Sequence, residues 1–240
     1  MVNRSFGSTA EVCPVNSDQD QHRRNRLLAA LRPRDYALLE PHLQIVPIGE
    51  GEFLHLPGDE IEQVYFLHKG IVSLMAISKE GDAIATASVG SEGAIGTIVG
   101  TGFVRAFTRA LVHAPGVASR IEASHFRRAV GKSETINSLL TRYHMAQMCQ
   151  VQQTSLCNSV HDATSRLSRL LLLLSEQSKD DIISFSQERL ADMLGLRRSS
   201  VNIGRTDAAV AALHKISTRA NRDRQPQGAE SSGVRMLRSH

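Results

Sequence analysis

The chain has 240 residues, of which 41% are apolar, 22% charged and 4% aromatic. These fractions fit one large or two small globular domains, and they exclude a wholly disordered, collagen-like or disulfide-stapled chain. The net charge of +4 is uneven: residues 186–240 hold ten Lys or Arg against five Asp or Glu, whereas residues 1–185 hold eighteen against nineteen.

Residues 1–21 are polar and aperiodic and read as a mobile leader. The first thirty residues carry no apolar stretch of the signal-peptide kind, so the cytoplasm is the expected compartment. Two short helices are expected between His22 and Leu43. Leu27, Leu28 and Leu31 share one face, and Pro33 opens a second turn ahead of Tyr36, Leu38 and Leu39. From Leu43 to about Ile121 the pattern changes to short apolar runs: Leu43–Ile48, Phe53–Leu56, Val64–Leu67, Ile71–Ile77, Ile84–Val89 and Ala110–Ala114. Glycine turns separate them, at Gly49, Gly51, Pro57-Gly58-Asp59, Lys69-Gly70, Glu80-Gly81-Asp82 and Gly90. Many short strands with such punctuation predict a β sandwich or jelly roll, and recurrent glycine argues against helix.

After Ser124 glycine thins out. Ser133 to about Asn158 is expected to be one long helix, with Leu139, Tyr143, Ala146, Cys149, Leu156 and Val160 as an apolar stripe broken by Gln153. A second helix is expected over about Asp162–Gln177, with Leu167, Leu170, Leu171 and Leu174 inward. Its leucine run, Leu170–Leu174, is far short of the roughly 20 apolar residues a membrane span needs. Ser178–Asp181 reads as a turn and Ile182–Phe185 as a short extended piece. Cys13, Cys149 and Cys157 form no metal-binding spacing, so buried apolar thiols are expected.

Ser186 to Asn202 reads SQERLADMLGLRRSSVN. Ser186 can cap a helix whose first turn holds Glu188, and Leu190, Ala191 and Leu194 give its inner face. With Gln187 as position one, Ala191 is fifth, Gly195 ninth and Val201 fifteenth. A helix-turn-helix needs a small residue where its helices touch, glycine in the turn and a branched apolar residue holding down the second helix. That second helix then presents Arg198 and Ser199 to base edges, with Asn202 as a further reader, and Arg197 and Ser200 to phosphates. A plain helical hairpin is the competing reading. The local basic charge on a near-neutral body favours DNA.

Three segments together resemble the Crp/Fnr family of bacterial transcription regulators. The ladder Leu56-Pro57-Gly58-Asp59, Val64 to Gly70 and Gly81-Asp82 is similar to its cyclic-nucleotide-binding-type jelly roll. Cys157 to His161 followed by Ser165 to Leu171 resembles the join between dimerisation helix and DNA-binding domain, and the helix-turn-helix is the third match. The resemblance covers roughly residues 25–203. It implies an α+β protein: a jelly-roll sensor over 22–132, a dimerisation helix over 133–160 and a helix-turn-helix domain over 161–207, then an atypical basic tail over 208–240. It also implies a homodimer that binds double-stranded DNA, with RNA polymerase as a further partner and no cofactor.

Two departures follow. In members that bind cyclic AMP, a Gly-Glu pair meets the ribose and an Arg-Ser-Ala stretch meets the phosphate. Here Thr97 follows Gly96, and Thr108 stands two places before Ala110, with Arg109 one place off. A one-residue slip turns a strand side chain to the other face, so cyclic AMP is not expected as the effector. Glu92 and Arg109 remain as effector-binding candidates. The second departure begins at Gly204, position eighteen, where the recognition helix normally buries a large apolar side chain. Residues 204–240 contain six arginines, no aromatic residue and no alternating strand, so the wing is incomplete or absent. A reading-frame change in the coding DNA would produce this; a divergent basic tail is the alternative.

The expected function is therefore a dimeric DNA-binding transcription regulator of Crp/Fnr type, with DNA binding impaired by the altered end. The alternative is a ligand-binding signalling module that no longer binds DNA specifically. No enzyme is expected. His42, His55, His68, His113, His125, His144 and His161 are scattered, without a partner at catalytic or metal-binding spacing.

Overall fold

A computed structural model describes residues 21–177 and 187–195. The leader before residue 21, the turn and extended piece expected over 178–185, and everything after Gly195 lie outside the described residues.

The two short N-terminal helices form as expected. They are α1 (Arg26–Ala29) and α2 (Pro33–Tyr36), and a 3-10 turn follows at Glu40–His42. Leu28, Leu31, Tyr36 and Leu39 are all buried. Asn25 caps α1 by accepting from the N–H groups of Leu27 and Leu28 at 3.0 and 3.2 Å. Its amide donates to the carbonyls of Leu67 at 2.9 Å and Gly93 at 2.7 Å. One buried side chain therefore ends a helix and fastens it to the sheet.

Six strands make one antiparallel sheet: β1 (Gln44–Ile48), β2 (Phe53–His55), β3 (Gln63–Ile77), β4 (Ala83–Val89), β5 (Ala94–Ile95) and β6 (Arg109–Glu122). The order is β1-β6-β3-β4, with β2 on β6 and β5 on β3. The α+β class and the rolled sheet agree with the sequence reading, but three strand expectations need correction. Val64–Leu67 and Ile71–Ile77 are not separate strands; they are one strand bent at Lys69-Gly70. The Ala110–Ala114 run continues to Glu122. The two-residue β5 was not foreseen.

The bend in β3 faces a bend in β6. Gly70 takes φ +99°, a left-handed conformation that glycine alone adopts without strain. A Cβ on Gly116 would fall on the backbone of Lys69 and Gly70. These bends bring both halves of β3 and β6 around one core, which holds Ile48, Leu67, Val72, Val89, Ile95, Ala110, Val112 and Ala118.

The helices continue with α3 (Ala123–Lys132), α4 (Glu134–Val160), α5 (Ala163–Gln177) and α6 (Gln187–Leu194). Ser133 caps α4, accepting from Ile136 N–H at 3.1 Å while donating to Asp35 at 2.7 Å. The expected α4 stripe is not one face. Ile136, Leu140 and Cys157 are buried, whereas Cys149, Leu156 and Val160 are exposed. The i+3/i+4 steps chosen drift around the helix, so the list crosses from the inner side at Tyr143 to the outer side at Leu156. For Cys149 the expectation of a buried thiol is corrected.

His113 in β6 is buried, with its Nε2 unpartnered, and burial pushes its pKa down to about 4. The native state keeps it neutral, while the unfolded chain protonates it below about 6.5. Stability is therefore intact above pH 6.5 and is lost as pH falls from there to about 4. Burial depresses His55 and His144 in the same direction. The loss from His113 is up to about 3 kcal/mol. Urea unfolding at pH 7 and pH 4.5 checks this: His113→Leu should lose less stability on acidification than the natural chain. Equal losses would show that His113 does not contribute.

Candidate functional site

The segment that leads into the expected helix-turn-helix begins at α5. Asp162 accepts from Ser165 N–H at 2.8 Å and so starts the helix. Leu167, Leu170, Leu171 and Leu174 are all buried, as their spacing predicts, in one cluster with Met193 and Leu194 of α6 and Ile71 of β3. Ala191 is fully buried, which is why a small residue is needed at that position. Gly195 ends α6 at φ +60°, and a Cβ there would stand 3.0 Å from Ile84 of β4. The Arg166 guanidinium donates to the Leu194 carbonyl, satisfying a helix-end acceptor. Arg189 of α6 pairs with Glu50 in the β1–β2 turn. The first helix and turn of the motif are thus set between α5 and the sheet. Arg197, Arg198, Ser199, Ser200 and Asn202 lie outside the described residues.

Around the glycine turn where a cyclic nucleotide would be sought, side chains of α4 bond to the sheet and its turn. Gly96 turns at φ +83°, and Thr97 Oγ1 lies 3.0 Å from His144 Nε2 on α4. One residue earlier on that helix, the Tyr143 hydroxyl donates to the Ala94 carbonyl at 2.8 Å and accepts from Ala94 N–H at 3.0 Å. Burial raises the phenol above its usual range, so it stays a neutral donor. Arg109 stacks over Phe53 with its guanidinium 5.2 Å from the ring centre, and its Nε is buried without a partner. Cyclic AMP is therefore expected to leave the melting temperature unchanged. Saturation at 100 times a dissociation constant would add about 2.7 kcal/mol, which thermal melts would detect. A clear rise at millimolar nucleotide would place Arg109 on phosphate.

Glu92 and Arg109 are not brought together. Arg109 is level with Met75, which pairs with Ala85, whereas Glu92 follows Val89 at the opposite end of β4. At about 3.3 Å per residue, roughly 13 Å of strand separates those levels. Glu92 serves a different contact, one the sequence reading missed. Its Oε1 accepts from Gly90 N–H and from Gln177 Nε2, both at 2.9 Å. Gln177, the last residue of α5, also donates to the Ser88 carbonyl at 2.8 Å, and Ser88 Oγ donates to Gln177 Oε1 at 2.6 Å. A Cβ on Gly90 would press on Gln177. This buried latch joins the sheet to the end of α5.

Two further groups were missed. His22 Nδ1 and His68 Nε2 each lie 2.6 Å from Ser119 Oγ. Ser119 is fully buried, so this trio fastens the N-terminus to β6 and offers no nucleophile to a substrate. The other is a narrow cleft lined by β4, α4, α5 and α6. No described helix is long and apolar enough to cross a membrane.

No family profile and no curated protein sequence matches the chain. Solved structures do. FixK2 from Bradyrhizobium japonicum is 15% identical, over 74% of this chain and 86% of that one, with a TM-score of 0.58. The c-di-GMP-responsive global regulator CLP of Xanthomonas campestris is 16% identical, over 79% and 93%, at 0.56. A Eubacterium rectale protein, described as a transcriptional regulator of the crp/fnr family, is 12% identical, over 82% and 88%, at 0.61. At such identities the likeness is one of fold, and it agrees with the fold the sequence resemblance implied.

Proposed function

We propose that, on this fold, the chain is a DNA-binding transcription regulator of Crp/Fnr type that acts as a homodimer. The observation that carries it is the seat of α6. A helix with fully buried Ala191 and a left-handed Gly195 sits under α5, ahead of the basic stretch Arg197-Arg198-Ser199-Ser200. The three solved regulators with this fold support the reading.

The outer face of α4 supports dimerisation. Met145, Met148, Leu156 and Val160 are 58%, 52%, 53% and 63% exposed. At about 100° per residue they lie with Cys149 on the side opposite Ile136, Tyr143 and Thr154. A second copy of α4, related by a two-fold axis, covers such a stripe and brings the two Cys149 thiols near each other. RNA polymerase is the further partner of this reading.

In the second helix, Arg198 reads guanine bidentately and Ser199 and Asn202 assist, while Arg197 and Ser200 hold phosphates. Gly204 stands where that helix would bury a large apolar side chain and residues 204–240 show no alternating pattern, so reduced discrimination between sites is expected. The same feature favours the second reading, a signalling module without specific DNA binding. Sedimentation at micromolar concentration tests the assembly. The natural chain should run as a dimer and Leu156→Glu as a folded monomer. A natural chain that stays monomeric would contradict the proposal.

A further inference from the structure

The cleft between β4, α4, α5 and α6 has a charge pattern that the DNA-binding reading does not use. Arg166 and Arg169 both line it, together with Thr86, Ser88, Thr154 and Asn158, and among the described residues no Asp or Glu does. Neither arginine has a carboxylate within ion-pair distance among the described residues. Arg169 reaches Thr154 Oγ1 only at 3.4 Å, a weak bond. Arg166 spends one amino group on Leu194, and its Nε is buried with no partner. Both side chains are half-buried. Two half-buried guanidiniums that line one cleft, without counter-charge among the described residues, are unfavourable until an anion joins them. Arginine's planar fork suits a phosphate or carboxylate, and hydroxyl and amide groups complete such a site. The space admits a few water molecules, about the volume of one oxyanion head.

We propose that this cleft binds a small oxyanion, a phosphate or a short carboxylate, as the chain's effector. The walls come from β4 and α4 on one side and α5 and α6 on the other. A bound anion therefore touches both the sensor sheet and the helices that carry the DNA-binding motif. It lies beside the Gln177 latch, because Ser88 belongs to both. A ligand so placed biases how the two halves sit by the difference in its contacts with each arrangement. The effector role rests on the regulator reading, but binding itself does not.

The test is thermal unfolding of the full chain with inorganic phosphate in one arm and acetate in another, each against chloride at equal ionic strength. A rise of several degrees at 20–50 mM (roughly twenty- to fiftyfold above a millimolar dissociation constant) is expected in at least one arm. The arm that responds identifies the head group. Arg169→Gln should fold, keep its melting temperature in chloride and lose the response. Arg105→Gln, at an exposed arginine outside the cleft, should keep it. No response in either arm, or an equal response in Arg169→Gln, would overturn the proposal. No DNA is present, so that failure would leave the regulator reading standing.

Discussion

Replacing Gly116 with Ala should destabilise the chain by about 3 kcal/mol or more, against a gain of a few tenths to about 1 kcal/mol for Gly131→Ala. A Cβ at Gly116 would fall on the Lys69 carbonyl and the Gly70 nitrogen. Those atoms are backbone, at the facing bends of β3 and β6, so no side-chain rotation relieves the overlap. The sheet has to open where its two halves turn around the core. Gly131 sits in α3 at an ordinary helical φ with nothing within 4 Å of an added Cβ. There alanine only improves helix propensity. Urea midpoints for the two variants give the comparison. A Gly116→Ala protein as stable as the natural chain would mean that the bends are not where the register places them.

Leu174→Ala should cost about 2–5 kcal/mol, whereas Leu172→Ala should cost well under 1. Leu174 is 2% exposed, between Ile71 of β3 and the α6 residues Met193 and Leu194, and Leu172 is 47% exposed on the other side of α5. The Leu174 cavity would open in the core that the sheet shares with α5 and α6. Gln177, one turn later, would then hold the two halves largely by its bonds to Ser88 and Glu92. Faster tryptic cleavage at Arg189 should accompany the loss of stability. A Leu174→Ala variant with the stability and cleavage rate of Leu172→Ala would show that the cluster does not couple the halves.

Local signals carried much of this fold into the sequence. The four inward leucines of α5 repeat at the helical period, and all are buried. Ala191 and Gly195 stand where the two-helix turn needs a small residue and a left-handed one, and the structure places them so. What failed depended on distant contacts. Lys69-Gly70 looks like a turn between strands, because a left-handed glycine marks a reversal and a kink alike. Only pairing with β6, some 45 residues away, distinguishes them. The α4 stripe failed because that helix has two apolar sides, one for its own sheet and one left exposed. Glu92 was singled out as an effector-binding candidate, but its partner Gln177 lies 85 residues on and has no sequence signature. Asn25 was missed, although asparagine just before Leu27-Leu28 is a favoured helix cap; its bonds to β3 and Gly93 leave no local mark.

The most direct measurement is selection from random duplex DNA, carried out in parallel with the natural chain and with a variant in which a Crp/Fnr wing replaces residues 203–240. A DNA-binding dimer predicts one two-fold-symmetric sequence enriched by the variant. The natural chain should bind that sequence more weakly, with affinity falling linearly in the logarithm of salt concentration. Arg198→Ala should cost about 1–3 kcal/mol and relax preference at one base pair in each half-site. Failure of both proteins to enrich any symmetric sequence would contradict the regulator reading and leave a signalling module.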